Sequence, residues 1–482
     1  MRSSLALVAL STAALVQACG SEHEFQVIRK RAAASRAASS LSLAPVPAVP
    51  TATGPAPAAP TVAAPTRTDE ASAAAITNPA QECLPYSYPP VAALIAGGAF
   101  PPIWEIANLS TAQPQVTALF QSLNSSIPNI APKGTPAGNF TTVVYDGTVD
   151  PDCWWTYKQC HTPKAEGVQP DVYDLATPNT WGLTYDDGPN CSHNAFYDYL
   201  ESQNQKATMF YVGSNVIDWP LEAQRGLADG HELCAHTWSH RYMTSLSNEQ
   251  AFAELYYSKK AIKDVIGVTV QCWRPPYGDV DDRIRYIAQS LGMQTIIWED
   301  NTFDYEIATL SRAKIVDNYN QILAKAANGT YNVNGTIVLS HELNNDTMNL
   351  AQEFLPKIKQ AFKHVAPIGV AMNNTKPYIE SGYTYPNFAQ YIAGTTTMSL
   401  AAPTAVSTEA PLSIPLSTGV TGSISATVAY ADASASSGSG GSASGSSGKS
   451  PAARHGTDAR GSGALVAAVV GAVGAGALAA ML

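Results

Sequence analysis

The chain has 482 residues, with 28 Lys and Arg against 38 Asp and Glu and a formal net charge of −10. That length allows two or three domains at roughly 100–200 residues each, and only 14% of residues are charged, against roughly 25% in an ordinary soluble domain. An acidic chain without a basic block excludes a protein that tracks nucleic-acid phosphates.

Residues 1–18 read as a secretory signal peptide. Arg2 supplies the positive end, Leu5 to Leu15 an apolar stretch too short to span a bilayer, and Val16-Gln17-Ala18 a small-residue cleavage site. Residues 19–80 follow, rich in Ala, Pro, Ser and Thr. They hold too few large apolar side chains to offset chain entropy, so disorder is expected. Residues 81–150 carry Cys83 and several prolines and read as an irregular extension packed on the domain that follows.

The globular domain is expected over 151–395. Short apolar runs at Trp181–Tyr185, Ala207–Val212, Glu232–Ala235, Thr269–Trp273, Thr295–Trp298, Thr336–Leu339 and Ile368–Ala371 predict strands. Helical patterns lie between them. Over Ser247–Ile266, Ser247 and Gln250 form a capping box, Phe252, Leu255, Tyr256, Ile262, Val265 and Ile266 share one face, and Gly267 ends the helix. Seven such alternations argue for an α/β fold with a parallel sheet, closed or nearly closed, and helices outside. Working groups would then gather at the C-terminal strand ends.

Residues 396–462 form a Ser/Thr/Gly-rich stalk, and 463–482 an uncharged apolar tail. Small residues, a polar spacer and a terminal apolar tail make the GPI-attachment pattern, with Ser446 or Ser447 as the attachment point. A tail-anchored transmembrane helix would need a basic flank that does not follow. With Cys19 set aside beside the signal, Cys83, Cys153, Cys160, Cys191, Cys234 and Cys272 suit up to three disulfides in any of fifteen pairings. Sequons at Asn108, Asn124, Asn139, Asn190, Asn328, Asn334, Asn345 and Asn373 agree with a secreted glycoprotein.

The predicted strand ends carry the chemistry. The first gives Thr184-Tyr185-Asp186-Asp187-Gly188-Pro189, two carboxylates whose repulsion calls for a cation. After the third come His236 and His240, spaced to share one helical face and one metal. The fourth ends in Arg274-Pro275-Pro276-Tyr277, the fifth in Glu299 to Tyr305 with Asp304, the sixth in Leu339-Ser340-His341. His231-Glu232 to His236 mimics a zincin motif but places the second histidine one residue too late. No G-x-S-x-G occurs, so serine-esterase catalysis finds no support.

In order, these motifs resemble the polysaccharide deacetylases of the NodB-homology type (carbohydrate esterase family 4), and among them the fungal GPI-anchored chitin deacetylases. The resemblance covers about residues 175–375. Tyr185 stands where Phe is usual, and in the fourth motif Asn301 replaces the first Asp of Asp-x-x-Asp-Trp, Tyr305 the Trp, with Asp300 one residue off register. The resemblance implies a distorted (β/α)7 barrel flanked by disordered, glycosylated tails. It implies that Asp187, His236 and His240 hold a divalent metal, zinc first, with cobalt or manganese also accepted. Asp186 would be the general base and His341 the general acid. Arg274 would hold Asp186, and Asp304 would pair with Arg274 and support His341. The Tyr277 N–H would bind the oxyanion, and Leu339, Tyr305 and Trp273 would line the acetyl pocket.

The expected activity is metal-dependent N-deacetylation of chitin to chitosan and acetate by a secreted protein held at the plasma membrane by its anchor, and in the cell wall among its glycans. An enzyme for partly deacetylated chitosan or O-acetyl polysaccharides is the alternative within the class. A non-catalytic wall mannoprotein on the same fold is the alternative outside it.

Overall fold

In the computed structural model, which describes residues 65–399, the expected first strand runs over Thr180–Gly188 and all of it but Asp187 is buried. Near-continuous burial is what a parallel strand covered on both faces requires. In chain order the strands are β1 (Asp174–Leu175), β2 (Thr180–Gly188), β3 (Thr208–Tyr211), β4 (Glu232–Ala235), β5 (Cys272–Trp273), β6 (Gln294–Thr295), β7 (Asp300–Asn301), β8 (Gly335–Leu339) and β9 (His364–Ala366). The order β2-β3-β4-β5-β6 is parallel throughout. On the other side of β2 lies β8, parallel to it and to β7 and antiparallel to β1. Val172 bridges Ile296, and two residues later Asp174 pairs with Thr336. This short stretch stitches the β6 side to β8 and closes the sheet into a distorted (β/α)7-type barrel.

The helix Asn248–Ile266 has the expected Ser247–Gln250 capping box and ends on Gly267 at φ 97. The seventh expected strand is different. Ile368–Ala371 is a helical turn opened by Pro367, and the strand is β9 just before it, paired with β2. A short, wholly buried apolar run fits either state. Side chains decide it here: Thr208 Oγ1 and Glu232 Oε2 accept the N–H groups of Ile368 and Gly369.

The segment before the barrel is short helices and loops, including Pro89–Ala96 and Pro114–Asn124. Val91, Ala107, Leu109, Val116 and Ile127 join the barrel's own core. Order begins earlier than composition suggests. Within the stretch 19–80 expected to be disordered, Glu70–Ala74 is a helix with a capping box from Asp69, and Asn194 Nδ2 donates to the carbonyls of Ala73 and Ile76. These specific polar contacts do what a hydrophobic face normally would. The signal peptide 1–18, the rest of the Ala/Pro-rich tract, the stalk beyond residue 399, Ser446, Ser447 and the tail 463–482 lie outside the described residues. Among the described residues no helix is long and apolar enough to cross a membrane.

Of the fifteen pairings, the six cysteines adopt Cys83–Cys191, Cys153–Cys160 and Cys234–Cys272. The first ties the extension to the loop just after Asp186-Asp187. The last joins β4 to β5 two residues before His236 and Arg274. Replacing both Cys234 and Cys272 with alanine is expected to lower the unfolding free energy by about 2–4 kcal/mol, read from urea denaturation. An unchanged midpoint would show that β4 and β5 need no covalent tie.

Candidate active site

Neighbouring side chains on a regular strand point to opposite faces. Asp186 and Asp187 escape that rule because the β2–β3 pairing slips between Tyr185 and Gly188, and Asp187 sits at φ 69. Both carboxylates therefore approach one imidazole: His236 Nε2 lies 3.8 Å from Asp186 and 3.6 Å from Asp187. His240 Nε2 is 3.0 Å from Asp187. Burial alone would raise the Asp187 carboxyl, but the charge on His240 and hydrogen bonds from both histidines hold it well below the usual carboxylate range.

His236 and His240 do not share a helical face as their spacing suggested. The segment is a loop, with Thr237 at φ 63 and His240 at φ 55. Glu254 imposes the loop, accepting from the N–H groups of Trp238, Ser239 and Ala107 and from Ser239 Oγ. Sequence reading missed Glu254, although a carboxylate inside the buried face of the 248–266 helix was a visible signal. His236 Nδ1 lies 2.8 Å from the Arg274 carbonyl, which can only accept, so Nδ1 carries a proton there and Nε2 is the ring nitrogen turned to the carboxylates. His240 Nδ1 is held 3.1 Å from Tyr277 Oη, with Tyr277 in the left-handed region at φ 60.

These second-sphere contacts orient the three donors as metal ligands need. One ligand atom from each of Asp187, His236 and His240 lies within 4.8 Å of the others. Tetrahedral ligands about 2.0–2.1 Å from zinc stand about 3.3 Å apart, close to the 3.0 and 3.6 Å measured for the Asp187 pairs. The residues fit a divalent ion. Two other clusters of potential ligands are built around cysteines already in disulfides.

Arg274 is fully buried. Its Nη1 donates to Asp186 Oδ1 at 2.7 Å and Thr184 Oγ1 at 2.8 Å, and the guanidinium lies 4.1 Å from the Phe210 ring centre. The Arg274–Asp304 pair expected from the resemblance does not form. Asp304 follows β7, the neighbour of β8, and so it meets His341: Oδ1 is 2.7 Å from His341 Nδ1, and Oδ2 accepts the His341 N–H at 2.8 Å. Burial would lower the His341 pKa, but the Asp304 carboxylate reverses this and pushes it up to about 9.

Tyr305 stacks edge-on 5.0 Å from His341, and Leu339 ends β8 beside it. Trp273 stands apart, wholly buried with its Nε1 on Thr295 Oγ1. The indole beside the site is Trp298, half-buried and 5.7 Å from the Arg274 guanidinium. Behind Asp187, Glu342 Oε1 is pressed so close to Gly188 that a Cβ there would sit 1.5 Å from it. Burial pushes Glu342 well above and His193 well below their ordinary values, which disfavours charge on both sides of their 3.4 Å contact. His231 is a core residue whose Nδ1 accepts from the Ala207 N–H. Of the sequon asparagines, Asn124, Asn139, Asn328, Asn334, Asn345 and Asn373 are exposed, and Asn108 and Asn190 half-buried.

The profile of the polysaccharide deacetylase family matches residues 175–296. Chitin deacetylase 2 of Cryptococcus neoformans var. grubii is 53% identical over 339 residues, covering 69% of this chain and 74% of its own. Chitin deacetylase of Amylomyces rouxii is 46% identical over 319 residues, covering 64% and 74%. This chain belongs to the polysaccharide deacetylase family. The structure of the chitin deacetylase from Colletotrichum lindemuthianum is similar at 25% identity, covering 42% of this chain and 90% of that one with a TM-score of 0.39.

Replacing Asp304 with asparagine removes the charge that raises His341 and should lower its pKa by about 1–3 units, read by NMR titration of the imidazole. A group raised in the folded state stabilises it fully below its unfolded value of 6.5 and loses that contribution as pH rises through about 9. The variant should therefore lose stability relative to wild type at pH 6 and approach it above pH 9.

Proposed function

We propose that this chain is a metal-dependent chitin deacetylase, hydrolysing the N-acetyl groups of chitin to give chitosan and acetate. The observation that carries the reading is the meeting of Asp187, His236 and His240 in one ligand set with Asp186 and His341 bridged beside it. Relatives 46–53% identical carry the name chitin deacetylase, which supports chitin as substrate.

In this reading Asp187 and the Nε2 atoms of His236 and His240 hold the ion, with zinc favoured by two imidazoles and a carboxylate, and cobalt or manganese accepted by the same donors. When bound, the ion polarises the acetyl oxygen and lowers the pKa of water to about 7. Asp186 takes the proton from the attacking water, and Arg274 and Thr184 fix the direction from which it does so. The Tyr277 main-chain N–H is assigned to the developing oxyanion. His341 has Nδ1 committed to Asp304, so it holds the transferable proton at Nε2. As the C–N bond breaks, that proton goes to the departing sugar nitrogen, leaving a free amine and acetate. Leu339 and Tyr305 border the acetyl group, with Trp298 taking the place expected of Trp273.

The signal peptide, the eight sequons and the GPI pattern support a glycosylated product secreted and tethered to the plasma membrane and cell wall. The net charge of −10 suits a product that becomes cationic as it forms.

Acetate release from chitin oligomers tests the reading. Wild-type protein should release acetate, lose the activity with a chelator and regain it with zinc or cobalt. Asp186→Asn should cut the rate by about 100- to 10,000-fold. Release that persists after the ion is stripped, or in Asp186→Asn, would contradict the mechanism.

A further inference from the structure

Of the eight tryptophans, Trp104 alone is exposed, with 41% of its surface in solvent. It comes from the N-terminal extension, outside the 175–296 stretch that the family profile matches. Its backbone is at φ 64, a strained conformation for a bulky side chain, held only where the surroundings over-determine it. Three hydrogen bonds do so. The Trp104 N–H donates to Ser214 Oγ at 2.9 Å, its carbonyl accepts from Arg241 Nη2 at 2.9 Å, and the indole Nε1 donates to Asp218 Oδ2 at 2.9 Å.

Two of the partners, Ser214 and Arg241, lie on the segments around the ligand set, and Asp218 ends the helix Gly213–Asp218 that holds Ser214. Ser214 follows β3, and its hydroxyl donates to the Trp238 carbonyl between the two histidines. Asn215, next along, donates to the Asp187 carbonyl at 2.8 Å. Arg241 is the residue after His240. The segment is tied down upstream too: Phe100 stacks on Trp238, whose Nε1 donates to the Pro102 carbonyl. A solvent-facing indole is thus held by Asp218, and its backbone by Ser214 and by Arg241, the residue after His240.

We propose that Trp104 is a stacking platform for a sugar unit flanking the one that loses its acetyl group, so that the extension forms part of the substrate cleft. This rests on the deacetylase reading above. An indole presents a flat apolar body with an electron-rich face and a polar tip. The ring face of a pyranose in a β-linked chain offers C–H groups to such a surface. With Nε1 anchored on Asp218, little side-chain freedom is left to lose on binding.

The test compares wild type, Trp104→Asn and Trp104→Phe on N-acetylglucosamine oligomers from dimer to hexamer. Asparagine tolerates the left-handed backbone, so the fold is kept while the ring is removed, and the melting temperature checks this. The KM of Trp104→Asn should rise about tenfold on the hexamer, with a rise that shrinks as the oligomer shortens and a kcat within about twofold of wild type. Trp104→Phe should restore most of the loss. Calorimetric binding of the hexamer should show the same weakening when Trp104→Asn is added to an Asp186→Asn background. Unchanged KM, or a loss equal at every chain length, overturns the platform. Wild-type protein silent on every oligomer overturns the chitin reading and the platform with it.

Discussion

Two carboxylates on consecutive residues can face one opening only if each has a counter-group of its own. Asp186 has Arg274, and Asp187 has the imidazoles of His236 and His240. The rest of the site is arranged around that division. Arg274 and Asp186 come from strands that are not neighbours, since β3 and β4 lie between β2 and β5. Their contact therefore crosses the interior, and it exists because the sheet curls. The pair is costly to isolate: Arg274 is fully buried, and its Nε and Nη2 have no hydrogen-bond partner among the described residues. Removing one partner of such a pair costs about 3–5 kcal/mol, so the group that orients the base also ties the base to the stability of the barrel.

A second tier of buried carboxylates holds the loops that carry the ligands. Glu254 gathers the N–H groups between the histidines. Asp279, just after Arg274-Pro275-Pro276-Tyr277, accepts from Trp154 Nε1, Thr156 Oγ1 and the Thr244 N–H and hydroxyl. Burial raises both carboxyls, and their donors oppose the rise. Three of these donors, the Ala107 N–H, the Trp154 indole and the Thr156 hydroxyl, come from outside the barrel proper. The segment before the barrel is thus a structural part of the site, because it saturates carboxylates that position the histidine and arginine loops.

Much of this was legible in the sequence. The strand ends were readable because each apolar run stops at a residue too polar to continue it. The capping box at Ser247 needs no tertiary context at all. What was not legible depends on strand order and on contacts across the barrel. His236 and His240 have helical spacing but sit on a loop shaped by Glu254 from a helix that follows it. The resemblance gives Asp304 two partners, Arg274 and His341, and the β7–β8 pairing delivers it to His341 and not to Arg274. Trp273 ends β5 and is buried in the core, whereas Trp298 lies between β6 and β7 and reaches Arg274, and the apolar runs that hold them do not distinguish the two. Ile368–Ala371 is apolar enough for either state, and side-chain acceptors from β3 and β4 choose the helix.

The central claim is that adjacent carboxylates do different work, Asp187 as ligand and Asp186 as base. Zinc stoichiometry and affinity, measured by calorimetry on wild type, Asp186→Asn and Asp187→Asn, separate the two most directly. One zinc per chain should bind to wild type and to Asp186→Asn with similar affinity, and Asp187→Asn should lose it by at least about tenfold. Equal losses in both variants, or no zinc bound by wild type, would contradict the division of labour on which the site rests.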